Sequence, residues 1–124
     1  MGHILGIHKL ELRAGVSEAE FEALMRAEVV PLYCSLPGMT GRLVKGDRGD
    51  RKHKYALFIE LDSPERRDHY FPLKTDRKDD NELDQDRFPE ELKQLLADKG
   101  HVFERLDTFV EQFPDTTFTD YVAV

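Results

Sequence analysis

The sequence predicts an α+β domain, an antiparallel sheet of four strands with helices on one face. Three observations carry that prediction. Strand-like and helical runs alternate in the order β-α-β-β-α-β. The second and third strands are joined by a turn-rich tip with no helix between them, as in a hairpin with a long loop. The apolar residues of the two helical regions keep to single stripes, so each helix has one face to bury.

Ile4 to Leu12 reads as the first strand, with Ile4, Gly6, His8, Leu10 and Leu12 on one parity and Leu5, Ile7, Lys9 and Glu11 on the other. Both parities are apolar at first, as in a central strand covered on both faces. Ser17 followed by Glu20 is a capping box, and Val16 and Phe21 are spaced as a hydrophobic staple, so a helix starts here. Phe21, Leu24, Met25 and Leu32 form its stripe. Pro31 removes a backbone donor and is expected to bend or end the helix, and Pro37-Gly38 closes the segment.

Thr40 to Lys45 and Tyr55 to Leu61 read as the second and third strands, around the tip Gly46-Asp47-Arg48-Gly49-Asp50. In the third, Tyr55, Leu57, Ile59 and Leu61 share a face, and Ala56, Phe58 and Glu60 take the other. Ser63-Pro64 starts a short helix that stops near Pro72. The segment 74–88 is charged at most positions and has no apolar period, which reads as a mobile loop or lid. Pro89 opens a long helix whose stripe runs from Leu92 to Phe113 and contains Gly100. Phe118 to Val124 closes the sheet.

This order is that of ferredoxin-like domains. A chain of 124 residues is most simply one such domain, 1–124, able to bury a core without staples. Its formal charge of −7 argues against nucleic acid or an anionic membrane as partner. Cys34 is the only cysteine, which excludes an intrachain disulfide and leaves a quiet, semi-buried thiol as the expectation. Neither a signal-peptide pattern nor an apolar run of membrane-spanning length is seen, so a cytoplasmic protein is expected.

No nucleotide-binding, metalloprotease or paired-cysteine motif occurs, and no two histidines have metal-ligand spacing, so no metal or cofactor is predicted. Three constellations remain. On the helix-free face, Lys9, Glu11, Arg42 and Glu60 are expected, with Tyr121 or Asp120 from the last strand. A dimer stacking two such faces would enclose acids and cations at low dielectric, where their pKa values shift. The bland reading is a solvated face of cross-strand pairs. Glu28 falls on the first helix's apolar stripe, where His8 could partner it, or it sits at the rim of a helix bent by Pro31. His69 and Tyr70 lie beside the charged loop as ligand contacts, or as a plug of the sheet edge.

The His8–Arg13 strand, the Ser17–Glu20 helix start, Leu36-Pro37-Gly38, and Tyr55–Leu61 followed by Ser63-Pro64 resemble the dimeric α+β-barrel branch of ferredoxin-like proteins. The tip with Lys54-Tyr55 and the segment Arg67 to Pro72 look like a small uncharacterised bacterial subgroup of it. The resemblance implies a homodimer with a small-molecule pocket and, among activities of the wider group, cofactor-independent monooxygenase- or isomerase-like chemistry. It carries over no catalytic residue. The alternatives are a non-catalytic ligand-binding or sensing module and a purely structural dimerisation domain, between which fold does not choose.

Overall fold

In the computed structural model, which describes residues 3–74, 82–111 and 118–124, strand β1 (Ile4–Leu10) is central. It pairs antiparallel with β3 (Tyr55–Leu61) on one side and β4 (Phe118–Val122) on the other, and β2 (Met39–Lys45) pairs with the far edge of β3. The protein is thus α+β, with a four-stranded antiparallel sheet in the order β2-β3-β1-β4. β1 ends at Leu10, two residues before the expected limit. Leu12 instead forms an isolated bridge to Val110, where the chain leaving the last helix returns to the sheet.

Pairing register sorts the side chains. Ile4, Gly6, His8 and Leu10 share a face with Tyr55, Leu57, Ile59 and Leu61, because directly opposed residues point the same way. Ile4, Leu10 and that whole β3 row are buried in one core with Phe21, Leu24, Tyr70, Leu92, Val102 and Leu106 from the helices. Leu5, Ile7 and Lys9 face the other way with Ala56, Phe58 and Glu60.

The first helical region is not one regular helix. α1 (Glu18–Leu24) starts where Ser17 accepts a bond from the Glu20 backbone N–H at 3.2 Å. It widens into a π-helical turn, Met25–Val29, and returns to α-geometry in α2 (Val30–Tyr33). In the wide turn the Val30 N–H reaches the Met25 carbonyl five residues back. Pro31 follows at the start of α2, where a residue without an N–H fits. The extra residue shifts the stripe, so Val29 is fully buried and Glu28 moves to the rim.

α3 (Pro64–Tyr70) is capped by Ser63, which accepts from the Arg66 N–H at 3.1 Å. Part of the charged segment expected as a loop or lid, 75–81, lies outside the described residues. Its two flanks pair, with Leu73 bridged to Leu83 and Asp84 N–H donating to the Pro72 carbonyl at 2.7 Å. α4 (Glu90–Asp107) follows Pro89 as expected and carries Leu92, Val102 and Leu106 into the core. Phe113, the expected end of its stripe, lies outside the described residues. Among the described residues no helix is long and apolar enough to cross a membrane.

Candidate functional site

A cleft of about 440 Å³ opens on the helix side of the sheet, between β1, β3 and β4 below and α2, α3 and the Leu73–Leu83 bridge around it. Its floor follows from the strand sequences. Asp120, Gly6, Ile59 and Gly41 lie in one cross-strand row. A Cβ on Gly6 would stand 2.9 Å from Asp120 Oδ1, so the absent side chain leaves room for that carboxylate over β1. A Cβ on Gly41 would meet Tyr33 Cβ at 2.8 Å, so the second glycine lets α2 press Tyr33 onto the sheet.

The wall comes from α3. Arg67, Tyr70 and Phe71 are spaced three and four apart, so they share one side of that helix. Tyr70 goes into the core and donates its hydroxyl to the Pro37 carbonyl at 2.7 Å. Arg67 and Phe71 line the cleft beside it. Arg67 Nη1 lies 3.3 Å from Asp120 Oδ2, and its Nε donates to Asp68 Oδ1 at 3.0 Å. Both members of the Arg67–Asp120 pair are largely covered, with side chains 30% and 23% exposed.

His8 enters from β1, half-buried, its ring stacked on Phe118 with centroids 5.6 Å apart. Tyr33 faces the edge of Phe103 and lines the cleft, and its hydroxyl has no hydrogen-bond partner among the described residues. Tyr33 is only half-buried as a residue, yet desolvation pushes its phenol above the usual 10.0, so it stays neutral. With Leu73, Leu83, Ile59 and Leu61 around them, these groups form a mostly apolar cleft with a few convergent polar atoms.

Of the side chains singled out from sequence, His8 and Asp120 line this cleft. Lys9, Arg42 and Glu60 lie on the opposite, open face, as expected, and of the two β4 alternatives Tyr121 joins them. There Glu60 meets His3 Nδ1 at 2.8 Å, Tyr121 is 54% exposed, and Arg42 makes no ion pair among the described residues. Arg42 also borders a second, more open groove along β2, whose other charges pair locally, Arg26 with Glu22 and Lys45 with Glu18. Asp120 is on the cleft side, so Tyr121 is the β4 residue on the open face. Glu11 is held by Arg51 and Lys54 from the tip, and the bond from Arg51 draws its carboxyl below the usual range.

Glu28 does not meet His8. It pairs with Arg105 of α4 at the surface, the rim position that a distorted helix implies. His69 and Tyr70 lie with ring centroids 5.3 Å apart but do not line the cleft: Tyr70 is in the core, while His69 is exposed and bonded to Glu91 at 2.7 Å. Cys34 is exposed rather than semi-buried, its Sγ accepting from the Gly41 N–H at 3.4 Å. Sequence reasoning does not find Tyr33, Arg67 and Phe118, and it leaves open whether Asp120 or Tyr121 faces away from the helices, which the β1–β4 register decides. The available signal was the two glycines inside strand patterns, each marking a close approach. No protein-family model matches the chain, and neither does any curated protein.

Proposed function

We propose that this protein is a ferredoxin-like domain of the dimeric α+β-barrel kind that binds a small organic molecule between its sheet and its helices. One observation carries the reading. A cleft of about 440 Å³ combines apolar walls with the Arg67–Asp120 pair, His8 and a neutral Tyr33 hydroxyl that has no partner among the described residues. That volume and that mixture suit a small ligand held by shape and oriented by a few polar contacts. The element order and the strand order β2-β3-β1-β4 support the ferredoxin-like assignment. Leu5, Ile7, Phe58 and Tyr121, side by side on the open face, support a homodimer formed through that face.

Turnover is the second reading, favoured by an imidazole, the residue type most often used for general acid–base catalysis, lining one cleft with a neutral phenol that can donate a hydrogen bond. Thermal denaturation against a panel of small aromatic and alicyclic compounds tests both. A binder is expected to raise the melting temperature of the wild type and not that of Gly6→Val, whose branched side chain would fill the floor beside Asp120. Binding with no dependence on Gly6 would refute the cleft. Consumption of the bound compound, lost in His8→Ala without loss of binding, would establish turnover.

A further inference from the structure

We infer that the cleft selects a small organic cation, an amine on an apolar skeleton, whose ammonium group bonds Asp120 Oδ1. The inference rests on the cleft being the binding site and adds the ligand's charge. The first argument is the state of the carboxylate. Asp120 Oδ2 is engaged by Arg67, whereas Oδ1 accepts no hydrogen bond among the described residues and lies against the bare backbone of Gly6. A largely covered carboxylate oxygen beside apolar side chains favours a donor from the ligand.

The second argument is the charge balance. Arg67 is one positive charge facing two negative ones, Asp68 and Asp120. Next to the lining residues Leu73 and Leu83, Lys74 and Glu82 form an ion pair at 2.8 Å. Among the described residues that line the cleft, Arg67 is thus the one lysine or arginine, set against two carboxylates. Arg67 still has N–H groups to spare, but an incoming carboxylate would have to share it with two carboxylates already in place. The third argument is the wall. Phe71, Phe118 and Tyr33 present aromatic rings, whose faces attract a cation and have no such attraction for an anion.

Three probes with a phenyl ring and a two-carbon arm separate the outcomes: 2-phenylethylamine, 2-phenylethanol and phenylacetate, titrated into the full chain by nuclear magnetic resonance. At about pH 8 the amine is cationic and an ordinary imidazole is neutral. The amine is expected to bind about tenfold more tightly than phenylacetate, with shifts mapping to Phe118, Asp120 and Phe71. Asp120→Asn should weaken the amine about fivefold or more and leave the alcohol within about twofold. Arg67→Gln, a second variant should Asp120→Asn not fold, should tighten the amine and weaken phenylacetate. Phenylacetate binding in the cleft as tightly as the amine would overturn the charge assignment and leave the cleft standing. An amine affinity indifferent to Asp120→Asn, or lowered by Arg67→Gln, would also overturn it. No binding by any of the three probes would overturn the cleft reading together with it.

Discussion

Tyr55 sits buried at the start of β3, its hydroxyl donating to Glu22 through a short bond, with Glu18 Oε1 also within 3.2 Å. Burial, then the bond to Glu22, raises the phenol's pKa, and the same bond is the main cause that holds Glu22 below its usual 4.5. A carboxyl depressed on folding stabilises the fold above its unfolded pKa, and that contribution is lost as pH falls through the folded value. The wild type should therefore lose stability in urea between about pH 5 and pH 3, and Tyr55→Phe should lose less over the same range. Equal pH slopes for the two proteins would show that the Tyr55 bond has no part in the linkage. Tyr55 was legible in sequence as a core-facing residue of its strand. Its carboxylate partners were not, because they come from a helix more than thirty positions away.

Among the elements, the first helical region separates local from tertiary control. Ser17 and Ser63 specify helix starts by accepting bonds from nearby backbone N–H groups, and Pro64 and Pro89 by their fixed φ, so those starts could be read directly. The π-helical turn could not. Its register depends on whether Val29 or Glu28 packs on the sheet, and that is decided by the core. Val29→Ala should cost about 2 kcal/mol, for two buried methyl groups and a residual cavity. Glu28→Ala should stay within about 1 kcal/mol, as for an exposed ion pair. Equal costs in chemical denaturation would rule out this account of the wide turn. In α4 a Cβ on Gly100 would meet nothing within 4 Å. Gly100→Ala should therefore stabilise the protein by about 0.5–1 kcal/mol, a rise of a few degrees in melting temperature. An unchanged or lowered melting temperature would mean that this glycine has a packing role.

For the whole molecule, the consequential feature is a sheet whose two faces differ. One is closed by helices except over the cleft. The other carries Leu5, Ile7 and Phe58 half-buried among Lys9, Arg42, Glu60 and Tyr121. If two copies stack these faces, light scattering should give twice the 14.4 kDa chain mass at low micromolar concentration, and Phe58→Lys should return the monomer. A monomeric wild type would leave the open face to another role and would not touch the cleft, which is built within one chain.

The sequence by itself determined the strand segments, the helix starts, and the alternation that puts the Tyr55–Leu61 row on one face of its strand and His8 on the same parity as Ile4 and Leu10, while which parity of the last strand faces the helices was left to the register. Alternation and capping act over two to four residues, so they are written locally. Only the tertiary structure decided that Arg67 meets Asp120, that Gly6 and Gly41 clear the floor beneath them, and that Glu28 turns outward. Those outcomes depend on strand register and on how α2 and α3 lie across the sheet. Register and helix placement are set by burying one shared core, to which segments far apart in the chain contribute at once.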